Sequence, residues 1–214
     1  MAIVIKGKGF AESSSPTSPH LLLVEGKDDA IFFKSIMEHI GLDEIEIWNI
    51  EGTSQLRTRL NVLKMDPAFN SNVTSLGIIR DADSDPESAL RSVKDALRVS
   101  GFAVPDQSFV SAGSRPTVTF MILPNDSPGM LESVCLKSIE SDPAMACVDR
   151  YFECLKTTCQ IEPMNIYKAK VQAFLASRRK VGLDLRRAAQ AGYWPFDHDA
   201  FGPIRSFLTK IIGN

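Results

Sequence analysis

Short apolar runs that alternate with helical patterns constrain this chain more than any other feature. Residues 21–24 form an uninterrupted apolar run that passes straight into Glu25-Gly26-Lys27, and the pattern from 28 to 40 is helical until Gly41 stops it. Residues 44–50 alternate Ile45 and Ile47 with polar neighbours and read as a second strand, after which Thr53 is placed to cap a helix running to Met65, before Pro67. A third strand, 74–79, runs into Arg80-Asp81-Ala82-Asp83-Ser84-Asp85-Pro86. The helix expected at 87–99 then has Asp85 as N-cap and Pro86 at its first position. Further strands are expected at 108–111 and 117–123, with a helix starting near Gly129. Such β/α alternation implies a mostly parallel, buried sheet flanked by helices. Beyond Leu131 the pattern turns helical, with helices expected at 142–159, 163–177 and 200–212.

The 214 residues, 44% hydrophobic and 23% charged, suffice for a core without disulfides. The expected organisation is an α/β core over residues 1–130 and a helical C-terminal extension, 131–214, packed on it. Only the region around 11–20, with a Ser/Pro-rich stretch at 13–18, is poor in large apolar residues. Cys135, Cys147, Cys154 and Cys159 lie in helical surroundings without a paired C-x-x-C, so they are expected as core thiols and not as a zinc site. No run is long and apolar enough for a membrane helix and the N-terminus lacks a secretory core, so the expected location is the cytoplasm, away from membranes.

A formal net charge of -2 argues against coating nucleic acid by bulk electrostatics. The segment 164–187 differs, with Lys168, Lys170, Arg178, Arg179, Lys180, Arg186 and Arg187 against the single acid Asp184. A solvated helix face is the expected use, a phosphate-contacting surface the alternative. Trp194 and Phe196 are expected in the core, the alternative being a docking edge for a second copy or a protein partner. His20, His39 and His198 form no constellation.

Acids fall at the carboxyl ends of strands, where ligands of parallel sheets collect. Glu25 follows the first strand, and Asp81 and Asp83 follow the third. Carboxylates gathered without neutralising partners repel one another, and a divalent cation removes that penalty. An all-oxygen donor set suits magnesium, or manganese. The Asp-x-Asp spacing on an extended segment aims both side chains to one side. Asp28 is expected to serve the helix dipole. Asp29, four residues after Glu25, is open to either use.

At Leu21-Leu22-Leu23-Val24-Glu25-Gly26-Lys27-Asp28-Asp29 and Ile78-Ile79-Arg80-Asp81-Ala82-Asp83 the chain resembles the Toprim superfamily, which includes primases, topoisomerases, recombination proteins and nucleases of the overcoming-lysogenization-defect (OLD) type. Segments 51–56, 122–132 and 167–170 are similar to small stand-alone Toprim-like proteins related to those nucleases. The resemblance implies a Toprim-like Rossmannoid core with metal ligands at Glu25, Asp81 and Asp83, and Asp29 matches a second acid of the related nucleases. Their site is completed by a later Glu and a Lys, for which Glu132 and Lys168 or Lys170 are the candidates here by position. The implied activity is magnesium-dependent hydrolysis of DNA or RNA, with a metal-dependent binding or regulatory module as the alternative. No G-x-x-x-x-G-K-[ST] is present for an attached ATPase, and Tyr151, Tyr167 and Tyr193 lack the context of a topoisomerase nucleophile.

Overall fold

The structure is a computed structural model in which residues 5–6, 15–125 and 127–213 are described. Its sheet contains β1 (Ile5–Lys6), β2 (His20–Val24), β3 (Ile45–Asn49), β4 (Ser75–Asp81), β5 (Ser111–Ala112) and β6 (Thr117–Leu123). Their order is β1-β3-β2-β4-β6-β5, parallel throughout except where β5 runs antiparallel to β6. The mostly parallel sheet expected from the sequence is therefore present.

Because strand side chains alternate, each strand feeds two cores. Leu22, Val24, Ile79, Met121 and Leu123 face α1 (Lys27–His39) together with α5 (Leu131–Ser138), α6 (Pro143–Cys154), α7 (Ile166–Ala176), α8 (Leu185–Gln190) and α9 (Gly202–Ile212). Leu21, Leu23, Ile78, Phe120 and Ile122 face α2 (Leu56–Met65), α3 (Pro67–Asn72) and α4 (Pro86–Val99). Full burial of each such side chain is worth about 1.5–3 kcal/mol, which is why these runs hold almost no polar residue. Helix α9 lies tightly across β4. The Ser75 hydroxyl donates to the Ile211 carbonyl at 2.7 Å, and a Cβ at Gly77 would collide with Ile211.

This topology fixes where a ligand can sit. From β2 the chain crosses outward through α1 to β3, then returns past β2 to β4 and continues the other way to β6. Neighbouring strands β2 and β4 thus send their following helices to opposite faces. Between their carboxyl ends a crevice opens, the topological switch point of the sheet.

Several local expectations need correction. Thr53 does not cap a helix by its side chain: the segment opens as a 3-10 turn, Thr53–Gln55, entered from Gly52. Pro67 ends one helix but also starts α3, with Asp66 accepting from the Ala68 N–H at 2.8 Å. The strand expected at 108–111 is reduced to β5 because Phe109 turns the chain with φ 65°. Helix α5 begins at Leu131, since Gly129 is held in an isolated bridge with Asp83. Helix α6 stops at Cys154 and the next residues form a π turn, Leu155–Cys159, while α8 was not anticipated.

Of the cysteines only Cys135 is buried; Cys147, Cys154 and Cys159 are exposed, because the outer face of α6 and its π turn is uncovered. Trp194 and Phe196 are buried as expected, Trp194 stacked on Phe174 at 5.9 Å. The Ser/Pro-rich stretch at 13–18 lies partly outside the described residues. Among the described residues no helix is long and apolar enough to cross a membrane.

Candidate metal centre

The crevice between β2 and β4 has apolar walls made by Val24, Phe33, Ile79 and Leu131, and it is lined by Glu25, Asp29 and Asp81. Each acid arrives by a separate local rule. Glu25 is the first residue beyond β2, where the Gly52 N–H donates to its carbonyl at 3.0 Å and ties down the neighbouring loop. Asp29 stands in the first turn of α1 and accepts the Gly26 N–H on Oδ2 at 2.9 Å. Asp81 ends β4 and accepts the Leu131 N–H on Oδ1 at 3.1 Å, so the start of α5 is fastened to the sheet through a carboxylate. Glu132, the next residue of α5, is buried and accepts from Lys168 Nζ at 2.7 Å.

Asp83 departs from the simple strand argument. The pleat ends at Asp81, Ala82 is buried, and Asp83 takes the left-handed region with φ 52°. Its carbonyl accepts the Gly129 N–H at 2.7 Å. Gly129 has φ 152° and is packed against Pro124 and Ser133, so a side chain there would displace the loop. Asp83 is exposed at the crevice mouth, and its charge acts on both Glu25 and Asp81.

Electrostatically the group is uncompensated. Burial pushes the Asp81 carboxyl well above the usual carboxylate range, and the charges of Asp29, Glu132, Glu25 and Asp83 add to the effect. Asp29 is raised to about 6, chiefly by burial, against the opposing hydrogen bond from Gly26. Glu25 is raised by burial and by Asp83, with Arg80 and Lys168 pulling the other way. Burial disfavours the Lys168 charge, but the hydrogen bond to Glu132 and the charges of Glu132, Asp81 and Asp29 outweigh it and hold the ammonium protonated.

Among the described residues no three His, Cys, Asp or Glu side chains already stand in ligating positions. Asp29, Asp81 and Glu132 each accept a hydrogen bond on one carboxylate oxygen, and carboxylate oxygens are the donor type that hard divalent cations prefer. Glu25, Asp29, Asp81, Asp83 and Glu132 are thus brought to one place, and Lys168 with them. Lys170 is not, for its Nζ pairs with Asp149 at 2.7 Å between α6 and α7. Asp28 pairs with Arg186 at 3.3 Å, and Asp85 caps α4 by accepting the Ser88 N–H at 3.0 Å.

Sequence reasoning passed over Arg80. Its Nε and Nη1 are buried and find no hydrogen-bond partner among the described residues, and its charge acts on Glu25. The clue was available in the alternation itself, since a cation one residue before Asp81 must point to the opposite face of the sheet, inward beneath a helix.

Fold and site together define an α/β protein whose acidic centre lies at the switch point of a parallel sheet. The chain belongs to the family described as "Protein of unknown function (DUF3226)", whose model matches residues 19–213. No curated protein matches it. It is similar to solved structures of the C-terminal region of the OLD protein of Xanthomonas campestris pv. campestris. One has a TM-score of 0.44 at 15% identity and covers 92% of this chain and 99% of that one. Another has a TM-score of 0.43 at 16% identity and covers 91% and 92%.

Proposed function

We propose that this chain is a magnesium-dependent phosphodiesterase acting on DNA or RNA, built on a Toprim-like core. The observation that carries the reading is the convergence of five carboxylates, Glu25, Asp29, Asp81, Asp83 and Glu132, whose mutual repulsion reaches Asp81 in an apolar crevice. A fold that served only packing or capping would not bury Asp29 and Asp81 beside other carboxylates. The likeness of Glu25-Gly26 and Asp81-Ala82-Asp83 to the Toprim motifs points the same way.

Glu25, Asp81 and Asp83 would hold magnesium or manganese, with Asp29 and Glu132 available to a second ion. A divalent cation bound there supplies Lewis-acid polarisation of a phosphate oxygen and acidifies a water. The chain's own groups do the rest. Val24, Phe33, Ile79 and Leu131 keep bulk water from the buried side of the carboxylates and so strengthen every charge interaction in the crevice. Lys168, held cationic and half-exposed beside Glu132, offers positive charge to an entering phosphodiester and stabilises the charge that builds on it. Arg80 supports Glu25 as an anion from beneath.

The test is cleavage of labelled single- and double-stranded DNA and RNA with magnesium, manganese or EDTA, for wild type beside Glu25→Gln and Asp81→Asn. Metal-dependent cutting that disappears in both folded variants is the expected result. The Lys168–Glu132 pair favours a second reading, a module that binds nucleic acid through metal without turnover, because the catalytic cation is already engaged. Metal-dependent binding by wild type with no cutting, even in manganese, would decide for it.

A further inference from the structure

Next to the acidic centre lies a second cavity, of about 360 Å³, which the proposed hydrolysis does not by itself use. The two have no lining residue in common but adjoin through β4, β6 and α5. Leu123, at the end of β6, pairs in register with Asp81, and Pro124 continues the wall outward. Ser133 and Lys137 line it from α5, one turn apart, on the helix whose first N–H holds Asp81. Tyr167 lines it from α7, immediately before Lys168.

Phe109 makes the cavity more than a packing defect. It lies in the left-handed region, a conformation that a bulky aromatic residue takes only when its surroundings impose it. Its N–H donates to the Phe120 carbonyl at 2.9 Å, its ring meets Phe207 edge-on at 5.9 Å, and it remains only partly buried where it lines the cavity. Two aromatic side chains, Phe109 and Tyr167, therefore line a space within the size range of small-ligand pockets. At the rim Lys137 is exposed, and among the described residues it has no ion pair, unlike Lys168 and Lys170.

We propose that this cavity receives a nucleobase of the strand whose phosphodiester lies at the acidic centre, with Lys137 meeting a neighbouring backbone phosphate. The proposal rests on the nuclease or nucleic-acid-binding reading above for its substrate class. Aromatic walls suit a planar heterocycle of any sequence, since every base has a stacking face, and an unpaired cation at the rim suits the phosphate that travels with it.

The experiment is titration of AMP, dAMP, UMP and inorganic phosphate, in EDTA, into wild type, Tyr167→Ala, Tyr167→Phe and Lys137→Glu, each checked for folding by circular dichroism. Wild type and Tyr167→Phe should bind the nucleotides alike, Tyr167→Ala about tenfold more weakly and Lys137→Glu severalfold more weakly, with inorganic phosphate failing to compete. Absence of nucleotide binding to folded wild type overturns the proposal. So does binding that neither Tyr167→Ala nor Lys137→Glu alters, or that inorganic phosphate displaces. The two readings fail separately: metal-dependent cleavage without nucleotide binding in EDTA removes the base pocket alone, whereas nucleotide binding with the expected variant pattern but no cleavage removes only the hydrolysis.

Discussion

Carboxylates at the carboxyl edge of the sheet and carboxylates on the C-terminal helices have the same chemistry and opposite surroundings. Asp142 caps α6 by accepting the Ala144 N–H at 2.8 Å and is gripped by Arg178 at 3.0 Å, which together hold it below the usual carboxylate range. Asp184 behaves alike: burial works against its charge, but the Arg187 N–H and the Arg186 guanidinium outweigh it. At Glu25 and Asp29 the opposing contributions of Arg80, Lys168 and the Gly26 N–H do not outweigh burial, and Glu25, Asp29 and Asp81 are all raised. On the helices each acid is matched by an arginine or a backbone N–H that outweighs its burial, whereas at the strand ends Lys168 and Arg80 offset the gathered carboxylates only in part. Raised carboxyls gathered in a crevice mark a candidate functional site, and the proposed cation would supply the missing positive charge.

The largest effect separating the two regions should be on activity. Asp81→Asn and Glu25→Gln should bring metal-dependent cleavage to background, and Lys168→Met should slow it by about 10²–10³-fold, the usual cost of removing one charge-stabilising donor. Asp142→Ala should leave the rate unchanged. Loss of cleavage in Asp142→Ala while the fold is intact would break the contrast.

Stability should move in the opposite sense. Asp142→Ala, which removes an N-cap and an ion pair, should lower unfolding free energy by about 1–2 kcal/mol in urea. Asp81→Asn should raise the thermal midpoint of metal-free protein at pH 7.5, because it removes a buried and uncompensated charge. Magnesium at about 100 times its dissociation constant should then add about 2.7 kcal/mol to wild type and little to the variant.

The two groups of acids should also respond to pH in opposite directions. Asp29 is raised from its ordinary 3.8 to about 6, so in the absence of metal its favourable contribution is complete below 3.8 and is lost as pH rises through about 6. Metal binding needs the deprotonated form and should strengthen over the same interval, so the manganese dissociation constant should fall between pH 5.5 and 7.5. Asp142 and Asp184 are lowered, so their contribution is present at neutral pH and lost as pH falls through their depressed values. The smallest effect is expected at Lys170. Lys170→Ala removes a peripheral pair with Asp149 and should cost no more than about 0.5 kcal/mol, with cleavage unaffected.

Strand ends were the most legible part of the sequence. Glu25 and Asp81 could be placed because an apolar run long enough to be a buried strand stops at Glu25 and one residue before Asp81, and Asp85-Pro86 announced α4 directly. What followed the strands was harder to read. The pleat argument put Asp83 on the same footing as Asp81, but a left-handed residue and the bridge to Gly129 depend on a loop over forty positions away in sequence. The basic stretch read as a solvated face, yet Lys168, Lys170, Arg178 and Arg186 find acids on α5, α6 and α1, pairings that only tertiary packing creates. Glu132 and Lys168 were matched to the site by position; their mutual contact is a product of α5 and α7 lying side by side.

Whether the strand-end carboxylates bind a cation is decided by calorimetric titration of manganese into wild type, Asp81→Asn and Asp142→Ala at pH 7.5. Saturable binding by wild type and Asp142→Ala that is lost in Asp81→Asn is the expected result. Folded wild type that takes up no manganese, or an Asp81→Asn variant that binds it as wild type does, would contradict it.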